Sequence, residues 1–116
     1  MGSGGGVAAR IARGDVRLYN FAPPDKKRPV VVLTRDSAIE YLSTVTVAPI
    51  TSTVRDVPSE VVLNEDDGMK ALCGVNLHNA VTVSRQRLGK RVAQLSSARM
   101  TEICAALRFT LGCDLG

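Results

Sequence analysis

The stretch PVVVLT at residues 29–34 is the strongest secondary-structure signal in the sequence. It is short, almost entirely apolar and rich in β-branched valine, which favours a strand buried on both faces. The residues before it, Pro23-Pro24-Asp25, predict a turn, because proline fixes φ and cannot donate to a strand ladder. We therefore expect the fold to be built around a buried strand at residues 29–34.

A second stretch, TVTVAPI at residues 44–50, alternates polar and apolar side chains with a period of two. This period predicts a strand with one face on the core. Pro49 indicates an edge, a bulge or the end of that strand. Further short strands are predicted at residues 16–21, 59–63, 74–77, 80–83 and 91–94. Their number and spacing are typical of a small antiparallel barrel or sandwich.

Only the C-terminal region has a convincing helical period. Its apolar stripe consists of Met100, Ile103, Cys104, Leu107 and Leu111. Ser96 or Ser97 is a suitable N-cap and Gly112 a suitable C-terminal stop. A short helix is also expected at residues 36–42. The predicted fold class is mainly β, a small antiparallel barrel with a C-terminal α-helix.

The length and composition predict one soluble globular domain. The chain has 116 residues, of which 45% are hydrophobic and 22% charged. Residues 1–12 begin with MGSGGG and are expected to be a flexible leader, in part an added tag, whereas residues 13–116 should form a single domain. No apolar run approaches the roughly 20 residues of a membrane helix. No apolar signal-peptide core is visible either, so the expected location is the cytoplasm.

The charge balance favours a polyanionic partner. Fifteen lysines and arginines outweigh eleven acids, for a net charge of +4, and eleven of the cations are arginine. The planar guanidinium suits phosphate well, so a nucleic acid is a plausible partner. With two Phe, two Tyr and no Trp, a platform for stacking bases is not expected.

Metal and cofactor chemistry are both disfavoured. The three cysteines lack CxxC spacing and the chain has a single histidine, so no zinc ligand set is formed. The sequence also lacks a glycine-rich phosphate loop and the motifs of common nucleophilic enzymes. We therefore expect no bound metal and no cofactor.

Three polar clusters could carry chemistry. They are Lys26, Lys27 and Arg28 before the buried strand, Thr51, Ser52 and Thr53 after the alternating strand, and Arg85, Arg87, Lys90 and Arg91. Guanidinium groups and hydroxyls near strand ends suit a bound phosphate. Each cluster also fits an ordinary surface: a charged turn, a hydroxyl-rich loop and a solvated face. Composition alone does not join them into one site.

Several segments, taken in order, resemble the MazF/PemK toxins of bacterial toxin–antitoxin systems. The segments are RGDV at residues 13–16, KRPVVVLT at 27–34, VAPITS at 47–52, QRLG at 86–89 and the closing helix at 98–111. The resemblance covers about residues 13–111. It implies an SH3-like barrel that forms a homodimer, cleaves single-stranded RNA without a metal, and is silenced by a cognate acidic, MazE-like antitoxin.

The same resemblance implies that Arg28 and Thr51 are the catalytic residues. RNA supplies its own nucleophile, the 2′-OH, so cleavage to a 2′,3′-cyclic phosphate needs positioning and charge stabilisation rather than a protein nucleophile. Arg28 would donate to the non-bridging phosphate oxygens, and Thr51 would bond the phosphate or orient the 2′-OH. His78 is a candidate proton acceptor.

We expect other polar residues to bind the substrate. They are Lys26, Lys27, Ser52, Thr53, Asn76, His78, Asn79, Arg85 and Arg87. Asn76, His78 and Asn79 could read base edges, which are accessible in single strands. Two other functions remain open at this point: a CcdB-like toxin that poisons DNA gyrase by protein contact, and an RNA-binding module without catalytic activity.

Overall fold

A computed structural model of the chain describes residues 10–23 and 26–113. Most of the expected leader and two residues of the expected turn, Pro24 and Asp25, lie outside the described residues. The described strands are β1 (Asp15–Asn20), β2 (Lys27–Val32), β3 (Thr44–Thr51), β4 (Glu60–Leu63), β5 (Cys73–Asn76), β6 (Val81–Ser84) and β7 (Arg91–Gln94). The helices are α1 (Asp36–Ile39) and α2 (Ser97–Leu111), and 3-10 turns lie at Glu65–Asp67, Leu77–Asn79 and Arg85–Arg87.

The strands form one curled antiparallel sheet, a half-barrel with α2 at the C-terminal end of the chain. Its order is β4-β5-β3-β2-β1-β7, and β6 pairs with β3 beside this path. β3 is the central strand, since it pairs with β2 on one side and with β6 and then β5 on the other. The expected mainly β fold with a C-terminal helix is confirmed.

Two hydrophobic clusters cover the opposite faces of the central strands. The first contains Val31 and Val75 from the sheet and Ile103 from α2. The second contains Val30, Val32, Val45 and Val47 together with Ile11 and Ile39. Ile11 is buried, so packing against the sheet begins at or before that residue. The proposed division into a leader and one domain stays a prediction.

Strand β2 confirms the central prediction and corrects its start. Val30, Val31 and Val32 are all fully buried, as expected for a strand covered on both faces. The strand begins at Lys27 rather than at residue 29, because the antiparallel pairing with β1 extends to Asn20 opposite Lys27. Arg28 is therefore inside the strand, opposite Tyr19, and not in the turn before it.

Pro49 lies inside β3, although the sequence suggested an edge, a bulge or a strand end. The N–H of Leu33 donates to the carbonyl of Thr46, so even-numbered residues of β3 bond to the β2 side. Pro49 therefore faces the other side of β3, where the recorded pairing with β6 ends at Val47 and that with β5 begins at Ile50. The missing N–H of proline falls in this gap and costs the ladder nothing.

The predicted strand at residues 74–77 is displaced by one residue, because β5 is Cys73–Asn76 and Leu77 already belongs to a 3-10 turn. Asn76 ends β5, and its side chain accepts the N–H of His78 at 3.0 Å. This local bond starts a 3-10 turn at Leu77–Asn79, because an asparagine side chain offers the backbone an alternative to the ladder.

Helix α2 agrees with its predicted ends. Ser96 accepts the N–H of Arg99 at 3.2 Å, and Gly112 ends the helix with φ of 71°. The apolar stripe is only partly buried, since Ile103 is 1% exposed but Leu111 is 65% exposed. Leu111 lies in the last turn, past the part of α2 that packs on the first cluster. Among the described residues, no helix is long and apolar enough to cross a membrane.

Candidate functional site

The strand register brings the two predicted catalytic residues into line. β2 and β3 pair in one register, with Val30 opposite Pro49 and Val32 opposite Val47. Continued for two residues toward the ends of both strands, that register aligns Arg28 with Thr51. Residues at alternate positions share a face, so Arg28 and Thr51 lie on the face of Val30 and Pro49. Both are half-buried.

The hydroxyl of Thr51 has a defined partner. Thr51 closes β3 opposite Gly74, and its Oγ1 donates to the carbonyl of Thr53 at 3.0 Å. With its hydrogen directed to that carbonyl, the oxygen presents lone pairs and acts as an acceptor toward a ligand. Ser52 and Thr53 are exposed just beyond it. The three predicted hydroxyls thus lie at one end of β3.

The segment after Thr51 crosses the sheet. β5 lies between β3 and β4, so residues 52–59 must cross β5, from Thr51 opposite Gly74 to Glu60 opposite Asn76. Within this crossing segment, the N–H groups of Arg55 and Asp56 donate to one carboxylate oxygen of Glu60, at 3.0 and 2.8 Å. The segment next to Thr51 is therefore tied to the first residue of β4.

Glu60 is the residue that the sequence interpretation missed at this site. Its Oε2 lies only 2.5 Å from where a β-carbon on Gly74 would be, so the carboxylate rests on the backbone of the residue opposite Thr51. Two signals pointed to such a contact: an acid at the second position of the predicted strand 59–63, and a glycine at the first position of the predicted strand 74–77, since a glycine in a strand often marks a close approach.

The basic cluster before β2 stays at the same end of the sheet as Arg28. Lys26 and Lys27 are exposed beside it. On the neighbouring strand, Tyr19 lies opposite Arg28, and the guanidinium of Arg87 lies 5.6 Å from the centre of the Tyr19 ring. This cation–π contact places Arg87, which is far from Arg28 in the sequence, next to the Tyr19–Arg28 pair.

Arg85 is separated from this group. Its Nη1 donates to the carbonyls of Ile39 and Leu42, at 2.6 and 3.2 Å, and so holds the end of α1. The preceding strand, β6, pairs with the start of β3, at Thr44 and Val45, whereas Thr51 closes the other end. The structure thus engages Arg85 in the fold, and RNA binding by Arg85 stays a prediction.

The residues expected to read bases lie farther along the sheet. The turn Leu77–Asn79 begins three residues past Gly74, so it is displaced from Thr51 along β5. The Asn76 side chain is used to cap this turn, while His78 and Asn79 are exposed. Of the three residues predicted to read bases, His78 and Asn79 therefore have exposed side chains, whereas the Asn76 side chain is engaged in the cap.

The RGDV segment has a structural role. The Asp15 carboxylate is fully buried and accepts the N–H of Ala12 at 3.0 Å and the Gln94 side-chain amide at 3.2 Å. The guanidinium groups of Arg17 and Arg91 lie at 4.0 and 3.7 Å. A buried carboxylate needs hydrogen-bond donors and positive charge around it. Asp15 obtains them from Ala12, before β1, and from Gln94 and Arg91 of β7, and so connects these two parts of the chain.

Asp67 and Cys73 have shifted pKa values and are not among the predicted site residues. Burial acts to raise the pKa of Asp67, but hydrogen bonds from Arg99 and the Asn64 backbone, with the charge of Arg99, hold it below its ordinary value. Burial, and then the charge of Asp67, raise the pKa of the Cys73 thiol. Both groups belong to the packing between β4, β5 and α2 rather than to the proposed chemistry.

The comparison with known proteins identifies the family. Residues 12–111 match the model of the PemK-like, MazF-like toxins of type II toxin–antitoxin systems. The chain belongs to this toxin family. The match confirms the resemblance found in the sequence and covers β1 through α2.

Named relatives agree with this assignment. The probable endoribonuclease MazF5 of Mycobacterium tuberculosis is 42% identical over 109 residues, which cover 93% of this chain and 99% of that protein. The endoribonuclease MazF3 of the same species is 34% identical over 79% of this chain and 89% of its own length. These relatives confirm the expected enzyme class of the family member, an endoribonuclease.

Solved structures confirm the fold. The Mycobacterium tuberculosis toxin MazF-mt6 superposes with a TM-score of 0.78 at 30% identity and covers 86% of this chain and 98% of its own. A mycobacterial endoribonuclease solved in complex with its cognate antitoxin gives a TM-score of 0.81 over 92% of this chain and 100% of its own. At 22% identity, the second likeness supports the architecture alone.

Proposed function

We propose that this PemK/MazF toxin is a sequence-specific, metal-independent endoribonuclease of single-stranded RNA. The 2′-OH attacks the adjacent phosphorus, the bond to the 5′-oxygen breaks, and the products carry a 2′,3′-cyclic phosphate and a 5′-OH. The observation that supports the site assignment is the β2–β3 register, in which Val30 pairs with Pro49; extended by two residues, it would set Arg28 opposite Thr51 on the same face. Endoribonuclease relatives at 34 to 42% identity support the substrate class.

Arg28 stabilises the charge that develops on the phosphate. Its guanidinium offers a planar fork of N–H donors to the non-bridging oxygens of the pentacoordinate transition state. Because it belongs to β2, its backbone is held by pairing with β1. Lys26, Lys27 and Arg87 add positive charge that attracts the RNA backbone.

Thr51 orients the nucleophile. Its hydroxyl hydrogen is directed to the Thr53 carbonyl, so its lone pairs are available to accept the hydrogen of the 2′-OH. This geometry favours an orienting role over donation to the phosphate. The proton of the 2′-OH passes to a general base, and the departing 5′-oxygen takes a proton from solvent. His78, the candidate from the sequence, lies in the turn displaced from Thr51 along β5, so we assign it no contact with the 2′-OH.

The same surface accounts for the proposed partners. A cationic groove that binds RNA also attracts an acidic peptide, so we propose inhibition by a cognate MazE-like antitoxin. Antitoxin complexes are known for a mycobacterial endoribonuclease and for MazF of Deinococcus radiodurans. We also propose a homodimer and a cytoplasmic location. Phe109 and Leu111 on α2 provide exposed apolar surface for self-association.

The test is cleavage of a long single-stranded RNA in excess EDTA, followed by mapping of the new 5′ ends and analysis of the 3′ termini. Wild-type protein is expected to cut at a short recurrent motif and leave cyclic phosphates. Arg28→Ala and Thr51→Val should each lower the cleavage rate about a hundredfold or more, the usual cost of losing a group that acts in the transition state.

Matched controls separate chemistry from folding. Thr101→Val removes a hydroxyl that also donates to a backbone carbonyl, that of Ser97 at 3.0 Å, and Arg108→Ala removes another exposed arginine. Both controls should cleave like wild type. Intact RNA with wild-type protein would favour the gyrase-poisoning or RNA-binding alternatives, and full activity of both site variants would refute the site.

A further inference from the structure

The segment that follows Thr51 is held by one side chain from β4. The Glu60 Oε1 accepts the N–H of Asp56 at 2.8 Å and that of Arg55 at 3.0 Å, and the Arg55 N–H also lies 3.2 Å from Oε2. Asp56 has φ of 54°, in the left-handed region that non-glycine residues rarely adopt. A conformation of this kind persists only where neighbouring contacts maintain it.

Glu60 connects to Thr51 through this segment. The carbonyl of Thr53, which accepts the Thr51 hydroxyl, lies two residues before the first N–H that Glu60 holds. The other carboxylate oxygen rests over Gly74, the residue paired with Thr51. The carboxylate thus contacts both the segment that orients the Thr51 hydroxyl and the strand position beside it.

We propose that Glu60 is a positioning residue for RNA cleavage: it holds the crossing segment at residues 52–59 so that the Thr51 hydroxyl is aimed at the 2′-OH. The proposal rests on the function proposed above and adds a residue to it. Glu60 acts through Thr51, and its two short bonds to Oε1 come from backbone N–H groups. Hydrogen bonding, rather than proton transfer, is therefore the role of its carboxylate.

The conservative variant distinguishes these two roles. In Glu60→Gln the side-chain carbonyl can accept the same two N–H groups, but an amide cannot take up a proton as a base. In Glu60→Ala both bonds are lost. We expect Glu60→Ala to lower kcat about tenfold to a hundredfold with KM changed less than about threefold, the scale of a small misplacement of a reacting group. Glu60→Gln should recover kcat to within about threefold of wild type.

A second perturbation moves the carboxylate without removing it. The β-carbon of Gly74→Ala would lie 2.5 Å from Oε2, the far end of a flexible side chain, so the carboxylate must shift while the backbone remains in place. We expect Gly74→Ala to lower kcat in the same direction as Glu60→Ala. In the double variant Glu60→Ala/Gly74→Ala, the clash is gone, and kcat should equal that of Glu60→Ala alone.

The experiment uses the full chain and a short ribo-oligonucleotide that spans a cleavage site mapped on the long RNA, with single-turnover rates and thermal unfolding measured for each variant. Combining Glu60→Ala with Thr51→Ala should leave the rate at that of Thr51→Ala, because both changes remove one function. Glu40→Ala, which removes an exposed carboxylate next to α1, is the matched control and should behave like wild type.

The outcomes separate this inference from the function on which it rests. If wild-type protein leaves RNA intact, the proposed function and the role of Glu60 both fail. If wild-type protein cleaves and Thr51→Ala is impaired, three results each overturn the inference alone: full activity of Glu60→Ala, inactivity of Glu60→Gln, or losses that multiply in the double variant with Thr51→Ala. Should Glu60→Ala fail to fold, Gly74→Ala gives the same decision.

Discussion

Ile103 provides a direct test of how α2 is held on the sheet. Its side chain is 1% exposed and belongs to the first cluster, in which α2 lies against β4 and the turn Leu77–Asn79. Ile103→Ala removes three carbons, worth about 2.4 kcal/mol at about 0.8 kcal/mol each, and leaves a cavity, so the expected total loss is about 3 to 4 kcal/mol. For a domain of this size that is a large share of the free energy of unfolding.

Urea unfolding followed by far-UV circular dichroism measures this loss. With a slope of about 1.5 kcal/mol per molar urea, the midpoint should fall by about 2 M or more at an unchanged slope. Leu111→Ala is the control in the same helix, because Leu111 is 65% exposed and its truncation should cost less than about 0.5 kcal/mol. Equal losses for the two variants would refute the packing of α2 described above.

Three further predictions concern charge and exposure. Because the pKa of Asp67 is lowered in the folded protein, its contribution to the free energy of unfolding is fully present above about pH 5 and is lost as the pH falls below about 4. Asp67→Asn should lower the free energy of unfolding by about 1 kcal/mol at pH 7 and flatten its dependence on acid pH, measured by unfolding titrations. Iodoacetamide at pH 8 should alkylate the exposed Cys113 of the native protein and spare Cys73, because the Cys73 thiol is buried and its pKa is raised. Peptide mass spectrometry measures both sites, and rapid modification of Cys73 would contradict its burial. Arg87→Gln should weaken binding of uncleavable RNA uniformly across sequences and lower the slope of log affinity against log salt by about one, and an unchanged slope would argue against a phosphate contact.

Local patterns predicted most elements of this fold because each depends on neighbours in sequence. The strand at residues 91–94 was predicted with its observed ends, and α2 ends where its N-cap serine and terminal glycine indicated. The buried strand β2 was evident from its valines. Its first two residues were missed although the first strand was predicted to residue 21, because the register that places Asn20 opposite Lys27 is not visible in the sequence.

The features that were missed depend on contacts between distant segments. The role of Glu60 is visible only once β5 is known to lie between β3 and β4, so that residues 52–59 cross β5 and the Glu60 carboxylate lies over Gly74. Arg85 and Arg87 illustrate the same limit, since two arginines in one short turn contact different parts of the fold, α1 and Tyr19 respectively. Leu111 belongs to the helical stripe, yet its side chain is 65% exposed, so the stripe alone did not show where burial ends.

The proposed chemistry suits a domain of this size because it makes few demands on the protein. A nucleophile within the RNA removes the need for a catalytic serine or cysteine, so two groups on adjacent strands can orient the 2′-OH and stabilise the phosphate. The backbone of Arg28 is fixed by a strand ladder, whereas Thr51 closes its strand and leads into a loop. The second group therefore requires support from outside its own strand, and the bonds from Arg55 and Asp56 to Glu60 are where the structure provides it.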